Sequence, residues 1–195
     1  MSSLTLTPTN ALASALNSSR SSVAIAVLDG LSIAHVAARK GQGAALAARV
    51  KELYGVTLPQ TPRIATGSNV SFVWAGPEQW LAMARISTNP DFERDLRGKL
   101  EGLASVADQT DARALATVRG PNARHVLAKG VPIDLHPKAF PAGSAAITHA
   151  SHIGVLMWLS EADDTFTLAC PRSYASSFWD WLTESAVEFS PVVGD

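Results

Sequence analysis

Apolar and polar positions alternate along the chain in short blocks that predict strands and helices in a recurring order. Residues 23–28 are rich in β-formers, Asp29-Gly30 is a strong turn signal, and residues 31–36 resume an alternating strand. After Gly43, Leu46, Val50, Leu53 and Tyr54 follow helical spacing, and Gly55 stops the run. Pro59 and Pro62 mark a loop. Residues 70–74 and 79–85 are strands flanking the turn Gly76-Pro77-Glu78. The next helix takes Asn89 as its N-cap and Pro90 at its first position. Phe92, Leu96, Leu100 and Leu103 form its buried stripe, and Glu93 and Arg97 an exposed i, i+4 pair. Residues 105–118 read as extended chain with a break at Asp108-Gln109-Thr110-Asp111.

The stretch 118–137 stands at the centre. Pro121 fits a first helical position, Ala123, Val126 and Leu127 share one face, and Gly130 sits where a helix would end. Pro132 prevents continuation, so a strand runs into a short helix where two halves of the chain meet. A Pro-containing connection leads to strands at 153–159 and 165–169, joined by a turn at Asp163-Asp164. A last helix begins around Arg172-Ser173 with Ser173 as cap. On its wheel Tyr174, Phe178, Trp181 and Leu182 cluster, with Trp179 at the margin of a wide apolar arc.

Side by side, the helix at 41–55 matches the helix at 120–130, and the hairpin ending 80–85 matches the one ending 166–172. Each hairpin precedes an amphipathic helix. The order α-β-β-α-β, met twice, suggests an α+β fold of duplicated ferredoxin-like halves. The expected organisation is an N-terminal arm at 1–20, with one helical turn at 11–16, then a single domain at 21–195 whose halves span about 21–118 and 119–190.

Composition narrows the function. The 195 residues carry a net charge of −1, and only 17% are charged, below the roughly 25% usual in soluble domains. Five Trp in so lightly charged a chain fit a surface partly covered by a partner, and also fit an Ala-rich soluble protein. No Lys/Arg cluster gives an electrostatic reason to expect nucleic acid. Cys170 is the only cysteine, which excludes an intramolecular disulfide and suits a reducing cytosol. The first residues show no signal-peptide pattern, and no apolar run approaches the roughly 20 residues of a membrane span, so a soluble cytoplasmic protein is expected.

Few residues suggest chemistry. Gly41-Gln42-Gly43 lies between strand and helix as a phosphate-binding turn would, but Leu46 replaces the third glycine and an ordinary tight turn is favoured. His149 and His152 stand three apart, which on extended chain points them to opposite faces, without a Cys or carboxylate to complete a metal site. Asp134 and His136 would share a face as an acid/base dyad, although Pro137 suits a rigid loop whose side chains bond backbone. Asp108, Gln109 and Asp111 could hold a polar ligand or make an Asx-type turn. Cys170 before Pro171 reads as a small buried side chain. No catalytic, cofactor or metal residue emerges. The candidate partner interface is Phe178, Trp179 and Trp181, with core packing and docking both open for Trp179.

Four motifs carry a resemblance. They are Trp74-Ala75-Gly76-Pro77-Glu78-Gln79-Trp80-Leu81, the triplet Asp108-Gln109-Thr110, the run from Gly120-Pro121-Asn122-Ala123-Arg124 through Ala128-Lys129-Gly130 to Asp134-Leu135-His136-Pro137, and Arg172-Ser173-Tyr174 through Trp179-Asp180-Trp181-Leu182. Together they resemble the gamma subunits of heterotetrameric sarcosine oxidases, from roughly Ala65 onward. Thr110 departs from the Ser common there. The resemblance implies an accessory, non-catalytic chain assembled with alpha, beta and delta subunits. Such oxidases demethylate sarcosine to glycine, with hydrogen peroxide and, when tetrahydrofolate is present, 5,10-methylenetetrahydrofolate as products. It assigns FAD, FMN, NAD and zinc to the partner chains and none to this one. It also implies a fold like the folate-binding domain of glycine-cleavage aminomethyltransferases. The alternative is a stand-alone folate-binding or one-carbon-transfer protein, with Asp108, Gln109 or Asp134 as acceptors for a pterin.

Overall fold

The computed structural model describes residues 18–20, 22–162 and 164–189. Its strands are β1 (Ser18–Arg20), β2 (Val23–Val27), β3 (Leu31–Ala38), β4 (Ile64–Thr66), β5 (Ser71–Gly76), β6 (Gln79–Arg85), β7 (Ala104–Asp108), β8 (Arg113–Arg119), β9 (Ala145–Ala150), β10 (Ile153–Leu159) and β11 (Phe166–Pro171). The helices are α1 (Gly43–Tyr54), α2 (Phe92–Lys99), α3 (Ala123–Ala128) and α4 (Ala175–Ala186). The arm's proposed turn at 11–16 and Asp163 lie outside the described residues.

Strands pair antiparallel throughout, in a five-stranded sheet of order β4-β5-β6-β3-β7 and a six-stranded sheet of order β1-β2-β8-β11-β10-β9. Alternate strand residues go to opposite faces. On one face of the five-stranded sheet, Val36, Phe72, Trp80 and Ala82 pack with Leu46, Val50, Phe92 and Leu96 of α1 and α2. On one face of the six-stranded sheet, Val118, Met157 and Leu168 pack with Val126, Leu127, Phe178 and Leu182 of α3 and α4. A third cluster, including Ile33, Val73, Leu81, Leu115, Leu156 and Trp158, draws on both sheets. The layers therefore run helix, sheet, sheet, helix. This mixed, duplicated α+β architecture is the one expected from the element order.

Reversed, the six-stranded sheet reads β9-β10-β11-β8-β2, which matches β4-β5-β6-β3-β7 strand for strand, with β1 added outside β2. The helices match as well, α1 with α3 and α2 with α4. One strand of the second unit, β2, comes from the start of the chain rather than after α4. The turns at Asp29-Gly30 and at residues 108–111 are present, but each carries the chain from one sheet to the other. β3 and β8, one strand at each turn, carry runs buried on both faces, so their alternation does not reveal which neighbour they take. β4 and β9 do not stand out in the sequence pattern. They meet at the sheet margins, where Ile64 N–H donates to Gly143 O and Ala145 N–H to Pro62 O, each at 2.9 Å.

Helix ends differ in detail from expectation. Gly55 closes α1 in the left-handed conformation, as predicted. Asp91, not Asn89, precedes the first helical residue of α2, and Leu103 lies beyond its end. α4 is preceded by a single 3₁₀ turn, Arg172–Tyr174, so Ser173 lies inside that turn and is not the cap. Gly130 serves another purpose than a left-handed stop. A Cβ there would fall 2.7 Å from the Trp181 indole.

Candidate functional site

The polar groups singled out in the sequence are largely consumed by the fold. His136 N–H donates to Asp134 Oδ1 at 2.8 Å, and Lys138 N–H to His136 Nδ1 at 3.2 Å, so both side chains brace the loop after α3. Thr110 N–H donates to Asp108 Oδ1 at 2.9 Å, an Asx-type turn. The Thr110 hydroxyl accepts from Ile33 N–H at 3.0 Å, and Gln109 N–H donates to Ile33 O at 2.8 Å, which pins the crossover between the sheets. At the Gly41-Gln42-Gly43 turn, a Cβ on Gly43 would collide with Glu78 Oε1, so the glycine makes room for the chain's own carboxylate. His149 is exposed on β9, and His152 is exposed in the following turn beside the Ser151 hydroxyl at 3.2 Å. No group of three or more His, Cys, Asp and Glu among the described residues is placed to hold a metal ion. Cys170 is buried on β11, and burial pushes its thiol up to about 11, far from a reactive thiolate.

The aromatic candidates differ in their exposure. Phe178 is wholly buried and Trp179 is only 8% exposed, both within the core of the chain itself. α4 packs against both α3 and β11, so its apolar arc is wide because it has two neighbours. Trp181 is half-buried, on Gly130 and tilted against Phe178 at 6.1 Å between ring centroids. Tyr174, grouped with them on the wheel, is exposed. Arg124 has a role its place in a motif did not convey. Its guanidinium donates to Leu135 O and Phe140 O, lies 5.0 Å from the Phe166 ring centre and pairs with Asp164 at 3.5 Å.

The sheets diverge at both ends of their shared core and leave two clefts. Along β3, β6, β8 and β10, the core-facing residues Ile33, Leu81, Leu115 and Leu156 are followed two positions outward by His35, Gln79, Arg113 and Gly154. With Ile147 and His149 of β9 these line a cleft of about 530 Å³ that has no acidic residue among the described residues of its wall. His35 Nε2 and Gln79 Oε1 lie 3.1 Å apart across the pair β3–β6. Ile147 is 59% exposed although its strand neighbour Thr148 is buried. The opposite cleft, of about 400 Å³, lies between Met83, Trp158, Thr117 and Thr167, with Arg85 as its charged group. Sequence reasoning missed His35, Gln79 and Arg113. The available signal was a change from apolar to polar at constant parity.

Comparisons with known proteins agree on one family. The family model described as "Sarcosine oxidase, gamma subunit family" matches residues 39–188. The sarcosine oxidase subunit gamma of an Arthrobacter species is 30% identical, covering 98% of this chain and 95% of its own. That of Corynebacterium strain P-1 is 31% identical, covering 73% of this chain and 70% of its own. A chain of the heterotetrameric sarcosine oxidase from Corynebacterium strain U-96, solved with pyrrole 2-carboxylate, superposes with a TM-score of 0.80 at 26% identity, covering 96% of this chain and 99% of that one. The glycine-cleavage aminomethyltransferase T of Bartonella henselae shares the fold, with a TM-score of 0.61 at 15% identity over 84% of this chain and 46% of its own. On the matched span, the near-complete coverage of relatives and the common fold, the chain belongs to the sarcosine oxidase gamma subunit family.

Proposed function

We propose that this chain is the accessory, non-catalytic gamma subunit of a cytoplasmic heterotetrameric sarcosine oxidase. The complex demethylates sarcosine oxidatively to glycine, with hydrogen peroxide and, when tetrahydrofolate is supplied, 5,10-methylenetetrahydrofolate as products. Alpha, beta and delta chains are its partners, and FAD, FMN, NAD and zinc belong to them. The observation that carries this reading is the 0.80 TM-score over 96% of the chain to a subunit of such an assembly. Support comes from within the chain: Asp134, His136 and Asp108 are spent on backbone hydrogen bonds, and the Cys170 thiol is buried. No helix among the described residues is long and apolar enough to cross a membrane.

The test is co-expression with the larger chains of the same host. The isolated chain is expected to be colourless and without sarcosine-dependent peroxide production. Expressed together, the chains give an active complex in which this one co-elutes. Activity in the isolated chain overturns the reading. So does saturable, tight binding of tetrahydrofolate to it in a calorimetric titration, which would establish a stand-alone folate-binding protein.

A further inference from the structure

The cleft lined by His35, Gln79, Arg113, Ile147 and His149 is filled by none of the described residues. Positions facing a second sheet are ordinarily apolar, because a polar group there is desolvated without return. Here Arg113 is half-buried, yet its guanidinium forms no ion pair with any described residue. It also borders a neighbouring hollow in which Asp29 and Asp111 lie, and pairs with neither. Ile147 holds a large apolar surface open to water beside these basic groups. β9 is the last strand of its sheet, and past Ala145 no described strand pairs with its outer edge. Such an edge presents unpaired N–H and C=O groups to an incoming strand.

We infer that this cleft receives an extended, carboxylate-bearing segment of a larger partner subunit, laid along the free edge of β9. The inference rests on the subunit reading above. A strand added to β9 turns alternate side chains toward the cleft. Carboxylates among them meet Arg113, His35 and His149, and an apolar side chain covers Ile147 and Leu156. A free small molecule fits the same charges less well. Pockets for such ligands enclose roughly 70–90% of the ligand surface, whereas here both Ile147 and His149 of the rim are exposed. A polypeptide brings its own cover.

The experiment uses the co-expressed complex, with this chain carrying Arg113→Glu or, separately, His149→Glu. His149 is exposed, so its variant is expected to keep the fold, which far-UV circular dichroism and a melt of the isolated chain verify. Both variants are expected to weaken capture by the larger subunits at least tenfold. Wild-type capture is expected to weaken steadily as salt is raised, in keeping with an ionic contact. Undiminished capture of a folded His149→Glu chain and of Arg113→Glu overturns the inference and leaves the subunit reading intact. Failure of the wild-type chain to assemble at all overturns both. Saturable micromolar binding of benzoate to the isolated chain, read from the His35 and His149 ring resonances, also overturns it by making the cleft a small-carboxylate site.

Discussion

Gly130→Ala tests whether the packing of α4 on the end of α3 decides stability. Gly130 follows α3, donates its N–H to Leu127 O at 3.1 Å and accepts from Ser151 N–H at 2.8 Å, so its backbone is held on both sides. An added Cβ would lie 2.7 Å from Trp181 Nε1 and Cζ2 and 2.8 Å from Cε2. Trp181 is half-buried and can yield toward solvent, but the wholly buried Phe178 limits its retreat inward. Overpacking of this kind costs about 1–3 kcal/mol. Gly130 lies outside the left-handed region, so alanine also restricts the unfolded chain and returns roughly 0.4–1 kcal/mol. The net expectation is a loss of about 1–2 kcal/mol, which for a chain of this size lowers Tm by about 2–8 °C. Urea unfolding followed by far-UV circular dichroism measures it, since fluorescence would be confounded by changes at Trp181. In a Trp181→Leu background the same substitution should cost less by about 1 kcal/mol, because the ring that it strikes is gone. A neutral Gly130→Ala, or an equal cost in both backgrounds, refutes the reasoning.

Arg124→Met should destabilise by about 2–4 kcal/mol in the same unfolding assay, because it leaves the carbonyls of Leu135 and Phe140 without their charged donor. Burial raises the Cys170 thiol to about 11, so the unfolded chain releases that proton more readily and stability falls as pH rises from about 9 to 11. Below that window the contribution is constant; within it, wild type should lose up to about 1.4 kcal/mol per pH unit more than Cys170→Ala. The native thiol should resist alkylation at neutral pH and react only on unfolding. Asp134→Ala and His136→Ala should each lower stability by roughly 1 kcal/mol through a lost backbone bond, while turnover and its pH profile in the assembled complex stay unchanged.

Element identity was largely legible because it rests on local spacing, whereas sheet membership rests on pairing across the chain. The helix at α1 was readable from Leu46 and Val50 on one face and from Gly55 at its end. The strands β5, β6 and β10 were readable from their apolar runs and from the turn at Gly76. β9 was obscured because Ala145–Ala150 is small and polar, and its two faces differ for tertiary reasons: Ala150 meets the helix layer while Ile147 opens into a cleft. β4 has three residues and follows a proline-marked loop. Trp179 stayed open between core packing and docking because a helical wheel shows the width of an apolar arc but not whether a second helix, another subunit or water faces its margin.

The duplicated order explains the deeper miss. If the two units were closed in sequence, a strand following α4 would occupy the place that β7 holds after α2. Instead β2 fills it, pairing with β8 from Ala24 opposite Arg119 to Val27 opposite Ala116. The first unit's own strand β3 then begins only after the chain has crossed between sheets at Asp29-Gly30. Each crossing is fixed by backbone bonds, Leu28 N–H to Leu115 O on one side and Gln109 N–H to Ile33 O on the other. The two units are therefore interlaced rather than placed end to end, and the same exchange fixes how the sheets face each other. That facing turns His35, Gln79 and Arg113, unremarkable when read singly, into one polar wall that carries the Arg113 charge.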